Sequence, residues 1–455
     1  NINGLIYRGN TKIKKTPPRP LIQNLDSIPS PYRTIGDDFK NKIIYFESSR
    51  GCPFNCQFCL SSTIKGVRYF GLDRVKEDLA RLIDADVRQI KFVDRTFNAN
   101  KKYAMEIMSF IMDKDPTNIN FHFEVTAHLV DKEMLEFIRK AKKGLFQFEI
   151  GVQSTNDKTI EAVGRTTDFE KLKKVTKKIK SFGNIHQHLD LIAGLPHEDY
   201  TSFRRSFNDV YNLKPDKIQL GFLKLLKGSG LRMKQLEYGF KFLNSPPYEV
   251  LETNYISYNE ILRLKGIGDL VEKYYNEGYF KESLEYIIKK AYGSPFDFFE
   301  DFLEFWKKRG FNKISHSRDS LYNILFDFCM EKQMMDLDIL NEIIKYDYVH
   351  NNRNMNIPDF LKRIDVAFIQ KNKHRILKDK GLLDRYLARY TDIPTKRIIN
   401  KIHIEAFNVD IMELIGSNYN LQDKMIKKSY ILFDYKKGAI DRSTSYDITE
   451  YVSKE

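Results

Sequence analysis

The chain has 455 residues, 42% of them hydrophobic and 30% charged, with a formal net charge of +14. That length suggests two or three domains, or one barrel-sized domain with an extension, and the apolar fraction suffices for a packed core. No run approaches the roughly 18–20 apolar residues of a membrane span, and the stretch from Asn1 to Pro20 lacks the apolar core of a signal peptide.

The start at Asn1 rather than Met leaves room for a longer parent chain. Three of the four cysteines fall within eight residues. That is not a disulfide framework, so a reducing cytoplasm is the expected setting. Cys329 stands alone among Leu325, Phe326, Phe328 and Met330 and reads as a buried structural thiol. The positive charge is spread widely. Its densest run, 171–180, reads as a solvated helix face, so nucleic acid stays open as a partner but is not favoured.

Residues 1–40 read as a lead-in kept extended by Pro17, Pro18, Pro20, Pro29 and Pro31. From 41 to 240, β-branched and aromatic runs (42–47, 89–93, 118–125, 145–150, 186–192, 217–223) alternate with segments of helical period. The helical segments are 72–84, 101–113, 131–140, 157–162 with 169–182, and 200–213. Six such repeats predict an α/β domain with a parallel sheet, open or curved into a partial barrel, because parallel neighbours need crossover connections. In barrel-like versions the chemistry sits at the C-terminal strand ends. Asn244-Ser-Pro-Pro247 marks a break. The region 250–455 reads as mostly α-helical with a few short strands, on spacings such as Ile261, Leu264, Ile267 and Leu270.

Directly after the first strand comes Glu47-Ser-Ser-Arg-Gly-Cys52-Pro-Phe-Asn-Cys56-Gln-Phe-Cys59. Three thiolates on a short loop can hold three irons of a four-iron cluster and leave the fourth open, whereas a plain electron carrier uses four. Zinc is the competing reading. It wants four closed ligands, usually as two pairs. No second cysteine pair exists, although His122, His128, His186 or His188 could supply a fourth ligand.

The C-x3-C-x2-C spacing with an aromatic before the last cysteine resembles the radical S-adenosylmethionine (SAM) superfamily. The resemblance implies an enzyme with a partial (β/α)6 barrel and a [4Fe–4S] cluster on Cys52, Cys56 and Cys59. The open iron would chelate the methionine moiety of SAM, and an electron would break the sulfur–C5′ bond to give a 5′-deoxyadenosyl radical. Phe58 would lie against the adenine, and the reductant would be a protein such as flavodoxin or ferredoxin.

Further residues at strand ends extend the resemblance. Many members carry a Gly-Gly-Glu-like turn after the second strand. This chain has Asp94-Arg-Thr96 instead, so Asp94 either accepts from the SAM amine or serves as a structural cap. Glu124 ends the third strand, Gln153 follows the fourth in Gly-Val-Gln-Ser, Arg165 lies in Val-Gly-Arg, and Asp190 opens Asp-Leu-Ile-Ala-Gly194-Leu-Pro. This string is similar to the block shared by oxygen-independent coproporphyrinogen oxidase and cobalamin-dependent radical SAM enzymes. It implies that Glu124, Gln153 and Asp190 meet the ribose or nearby polar atoms, that Arg165 pairs with the SAM carboxylate, and that Gly194 and Leu195 bring backbone to the adenine. An Asp among Leu189, Leu191 and Ile192 would otherwise be a costly burial. Glu149 faces either the reaction chamber or a structural partner.

The lead-in Pro-Arg-Pro-Leu-Ile-Gln-Asn-Leu-Asp-Ser-Ile-Pro-Ser-Pro-Tyr32 is similar to the linker that follows the cobalamin domain in the cobalamin-type group. The reaction so implied is methyl transfer to an unactivated carbon or related radical chemistry, with cobalamin held by an upstream domain outside this chain. No Asp-x-His-x-x-Gly cobalt-ligand motif occurs. The C-terminal region resembles an uncharacterised domain carried by some of these proteins. Two alternatives remain. One is a methylthiotransferase or other tRNA-modifying radical enzyme, which the charge supports and the lack of a second cysteine trio opposes. The other is a non-enzymatic, metal-stabilised binding protein. The substrate is open; specificity is expected in the helical region and the loop 224–230, and Tyr69 and Phe70 either line the chamber or, by default, pack in the core.

Overall fold

The computed structural model describes residues 2–33, 39–64, 66–333, 336–353, 356–390, 393–435 and 443–452. Six strands, β1 (Ile43–Phe46), β2 (Gln89–Phe92), β3 (Asn120–Glu124), β4 (Phe146–Gln153), β5 (His186–Ala193) and β6 (Lys217–Phe222), form one sheet in the order β6-β5-β4-β3-β2-β1. The paired registers are parallel, for example Ile44 with Ile90, Ile90 with Phe121, and Leu189 with Ile218. Between the strands run α1 (Leu72–Asp84), α2 (Lys101–Lys114), α3 (Lys132–Ile138), α4 (Asp157–Ala162), α5 (Phe169–Phe182) and α6 (Tyr200–Tyr211). The expected strand 145–150 runs on through Gly151 and Val152 to Gln153.

Local chemistry sets the helix starts. Asn100, Asp131, Asp168 and Asp199 each accept a hydrogen bond from a backbone N–H in the first turn of α2, α3, α5 and α6. Gly183 ends α5 with φ +69°, a turn that favours glycine.

Strand alternation separates two faces. Ile90, Phe92, Phe121, Phe123, Phe146 and Phe148 are at most 2% exposed and form the apolar face. Phe97 joins them by stacking on Phe123 at 4.1 Å between centroids. The opposite face of β2–β4 carries Gln89, Lys91, Asn120, His122, Glu124 and Glu149. A sheet that is polar on one face and apolar on the other, with its helices packed on the apolar side, leaves the polar side for chemistry.

The chain divides into two compact units: Asn1–Gly151, Glu161–Gln187 and Leu225–Lys234; and Val152–Ile160, His188–Lys224 and Gln235–Glu455. The C-terminal region holds α7 (Tyr258–Leu270), α8 (Lys281–Ala291), α9 (Pro295–Lys308), α10 (Arg318–Lys332) and α11 (Leu337–Asn351). It also holds an antiparallel sheet of β7 (Ile402–Phe407), β8 (Ser429–Asp434) and β9 (Thr444–Asp447) in that order. Helix α11 is buried on all sides from Ile339 to Val349, so its polar groups need internal partners. Lys345 Nζ donates to the Lys362 carbonyl at 3.0 Å and lies 2.9 Å from Glu342. Asp347 accepts from the Ser283 N–H at 2.8 Å and so caps α8. Among the described residues no helix is long and apolar enough to cross a membrane.

Candidate active site

The cysteine loop is framed by an antiparallel pair, Ser49–Cys52 with Gly66–Tyr69, that the sequence reading did not include. Cys52 is the last residue of its first strand and pairs with Gly66. Gly51 has φ +107°, and a Cβ there would sit 2.1 Å from the Gly66 carbonyl oxygen, so only glycine fits. Behind the pair, the buried Asp94 carboxylate accepts from Ser48 N–H at 3.0 Å, Ser48 Oγ at 2.6 Å and Ser49 Oγ at 2.5 Å. Burial pushes the Asp94 carboxyl up, and these three donors pull it back. Both Asp94 oxygens are therefore engaged in holding the strand end that leads to Cys52.

Within the loop Cys56 is buried, while Cys52 and Cys59 are half-buried; all are free thiols. The Cys59 N–H donates to the Cys56 carbonyl at 3.0 Å, and the Gln57 N–H donates to the Val163 carbonyl at 2.8 Å. Thr96 Oγ1 lies 3.6 Å from Cys52 Sγ. Arg165 reaches in with Nη1 at 3.6 Å from Cys56 Sγ, while Nη2 donates to the Gly151 carbonyl at 2.7 Å and Nε to Thr167 Oγ1 at 2.9 Å. Burial raises the Cys56 thiol, and the Arg165 cation opposes that shift. His128 stands edge-on to Phe54 of the loop at 5.5 Å, with burial and then Arg165 lowering its basicity.

This donor set fits an iron–sulfur cluster. A zinc ion held at about 2.3 Å by thiolates would draw the sulfurs to roughly 3.8 Å of one another. Among the described residues the three sulfurs are not gathered within 4.8 Å of each other. Three thiols on one loop can hold three irons of a cubane and leave the fourth open. Cys329 is buried in α10, its thiol pushed up to about 12 by burial, consistent with a structural role.

On the polar face, Glu124 and Glu149 are register partners on β3 and β4. Glu149 is held well below the usual carboxylate range, first by its hydrogen bond with His122 Nε2 at 2.9 Å and then by Lys91 Nζ at 3.2 Å. Glu124 is pushed up to about 7 by burial and by the Glu149 charge, with Arg95, 3.9 Å away, and Lys91 pulling it back. One carboxyl is thus ionised and its neighbour is poised near neutrality, the pattern that separates a fixed charge from a proton-exchanging group.

Gln153 ends β4 with φ +71°. The next residue, Ser154, donates to Glu198 Oε1 at 2.5 Å, and Ser206 donates to the same oxygen at 3.0 Å. Glu198 Oε2 is buried without a hydrogen-bond partner, and burial pushes the carboxyl up to about 7. Glu198 escaped the sequence reading although it sits three residues after Leu195 of the Gly-Leu-Pro string. An orphaned buried oxygen suits a neutral acid. A raised carboxyl destabilises the native state as pH rises. Below about 4.5 both states hold the proton, and between 4.5 and 7 the unfolded chain releases it while the native chain keeps it. Chemical denaturation is therefore expected to show stability falling over that window by about 3 kcal/mol from this group. Glu198→Gln, neutral at every pH, should flatten that slope and exceed the parent in stability at pH 8.

Asp190 is half-buried, on the β5 face shared with His186 and His188, while Leu189 and Leu191 fill the other face. Its Oδ1 is nevertheless buried from solvent, so alternation along the strand relieves only part of the burial cost that the apolar neighbours suggested. Gly194 has φ +88° with side chains only at ordinary contact distance, so its backbone conformation is what calls for glycine. Phe58 is half-buried on the cysteine loop.

Residues 46–210 match the family model described as the radical SAM superfamily. These residues form a radical SAM domain. Residues 236–433 match a second model, described as a protein of unknown function (DUF4080); the protein at hand joins these two regions. It is 33% identical over 205 residues to an uncharacterized methyltransferase of Pyrococcus horikoshii, covering 43% of this chain and 44% of the relative. It is 25% identical over 182 residues to the ribosomal protein methylthiotransferase RimO of Petrotoga mobilis, covering 38% and 41%. The chain thus spans less than half the length of these relatives. A solved structure of the cobalamin-dependent S-adenosylmethionine radical enzyme OxsB aligns with a TM-score of 0.49 and 13% identity, over 87% of this chain and 64% of that one.

Proposed function

We propose that Cys52, Cys56 and Cys59 hold a [4Fe–4S] cluster with one iron free of protein thiolate, and that SAM binds there to be cleaved reductively. When bound, the cluster supplies the electron that breaks the sulfur–C5′ bond of SAM. The observation that carries the reading is the Arg165 guanidinium seated between Cys56 Sγ and the Gly151 carbonyl. Three of its five N–H groups are engaged, on Nη1, Nη2 and Nε. One N–H remains on each terminal nitrogen, a pair matched to the SAM carboxylate. Glu124, near neutrality without ligand, would ionise beside the SAM amine. Gln153 and Asp190 would meet the ribose diol, Phe58 the adenine, and Gly194 would let backbone approach it. Asp94 serves best as a positioning residue, because its oxygens already hold Ser48 and Ser49.

The finer reading is methyl transfer to an unactivated carbon. The methyltransferase relative supports it, and the lead-in's resemblance supports cobalamin supplied by a domain outside these residues. A methylthiotransferase is the second reading, favoured by the RimO relative. The test is anaerobic reconstitution with iron and sulfide, then SAM and dithionite, with mass-spectrometric assay for 5′-deoxyadenosine. Its absence from cluster-loaded protein refutes the proposal. Deuteromethyl-SAM then separates a product gaining only a methyl group from one gaining sulfur as well. Arg165→Lys keeps the charge but loses the planar pair of donors, so calorimetric SAM affinity should weaken by about 2 kcal/mol, roughly 30-fold.

A further inference from the structure

Strand β1 is the last strand in the order β6-β5-β4-β3-β2-β1, and the lead-in closes over it. The Tyr32 hydroxyl donates to the Tyr45 carbonyl, and the Tyr32 ring stacks on Phe46 at 5.6 Å between centroids. Toward α1, Ser30 Oγ donates to Asp78 Oδ1 at 2.7 Å, and Asp26 accepts from the Gly71 N–H at 3.0 Å. Pro29 and Pro31 stiffen the crossing. Together with the buried Phe46, Phe70 and Val75, this segment lines a cavity of about 280 Å³. Two guanidinium groups converge there: Cζ of Arg50 and of Arg74 lie 6.0 and 4.7 Å from the centroid of the Phe70 ring. The two carboxylates of the lining are already engaged. Both Glu47 oxygens accept from Arg50 Nε, at 2.9 and 3.0 Å. Asp78 Oδ1 accepts from Ser30 and also from Arg81 Nη1 at 3.2 Å, and Oδ2 lies 3.8 Å from Arg74 Nε. The arginines are not used up: among the described residues Arg50 Nη1 and Nη2 and Arg74 Nη2 make no hydrogen bond. Each of those nitrogens carries two N–H groups, so the cavity has donors in excess beside an apolar wall.

We propose that this cavity binds a small aromatic anion, its ring against Phe70 and Tyr32 and its carboxylate or phosphate ester on Arg50 and Arg74. The planar guanidinium fork matches either anion. An apolar cavity of this size with a few convergent polar groups is the usual construction of a small-ligand site. The excess of donors selects an acceptor-rich ligand. A neutral hydrocarbon would cover those N–H groups without replacing the water they lose, and a cation would find both carboxylates occupied. The stiff, fastened crossing leaves little to order on binding, which favours affinity. The proposal is independent of the cluster reading, because none of Cys52, Cys56, Cys59 and Arg165 lines the cavity.

The test titrates the full chain with phenyl phosphate and with benzoate, read by calorimetry and ligand-observed magnetic resonance. At least one probe is expected to bind one-to-one with a dissociation constant of about 0.1–1 mM, and the tighter of the two identifies the anionic group. Arg50→Gln should weaken that binding about tenfold, and Arg50→Lys, which keeps the charge without the fork, by less. Ile28→Trp fills the cavity from its half-buried lining position and should abolish binding, with the melting temperature compared with that of the parent. Should the tryptophan variant fail to fold, the Arg50 pair decides, since it leaves the apolar walls untouched. A parent that binds neither probe overturns the proposal, as does equal affinity in Arg50→Gln. Inorganic phosphate or benzyl alcohol binding as tightly as the probes overturns it too, because each lacks one half of the recognised ligand.

Discussion

Cys56→Ala is expected to carry almost no cluster after reconstitution, against about four irons per chain for the parent, and to release no 5′-deoxyadenosine above background. The reason is positional as well as chemical. Cys56 is the buried member of the trio, and its burial disfavours a bare thiolate. What favours the thiolate is Arg165, held in place by the Gly151 carbonyl and Thr167. Deleting the sulfur removes a ligand and leaves that guanidinium facing a void. Iron and sulfide analysis, visible absorbance and product assay read the result together, with Cys329→Ala as a control expected to load normally. Because the change removes a single sulfur atom, the far-ultraviolet dichroism should stay that of the parent. A variant that kept a full cluster and cleaved SAM would end the assignment of this loop as the cluster site.

The helices and strands of the β–α region were legible because their signals are local. Period-2 and period-3.6 patterns, with Asp or Asn at helix starts, placed α1, α4 and α5 within their observed bounds. The cysteine spacing was equally local, so the loop was visible without the fold. What the sequence hid were long-range pairings between residues with no strand propensity. Ser49-Arg-Gly-Cys52 contains no β-branched residue, and it becomes a strand because Gly66–Tyr69 lies beside it and Asp94 fastens its base. The partners of Glu149 come from β2 and β3, 58 and 27 positions earlier in the chain, and their convergence follows from parallel register alone. Asp190 shows both signals at once: alternation puts it on the polar face, and its Oδ1 is still buried, as the linear run of apolar letters suggested. In the C-terminal region, the strands β7–β9 pair across sequence gaps that no hairpin signal bridges.

Gly51→Ala should unhook the cysteine loop while leaving the rest of the sheet intact. Two costs combine at this position. The backbone angle, φ +107°, is one that a side chain strains to adopt, about 1–3 kcal/mol. The added Cβ would also meet the Gly66 carbonyl oxygen at 2.1 Å, and that atom is backbone, so relief requires the strands to part. Parting them moves Cys52, which pairs with Gly66 and ends the first strand. The expected result is iron loading reduced toward that of Cys56→Ala, with only a small loss in the melting temperature of the whole chain. Gly66→Ala provides the comparison: φ is +86°, yet nothing lies within 4 Å of the new carbon, so it bears the backbone strain without the collision. The difference in cluster loading between the two variants isolates the clash, because the strain is common to both. Equal loading would mean that the close approach of Gly51 to Gly66 does not hold the loop, and that Asp94 with its two serines fixes Cys52 unaided.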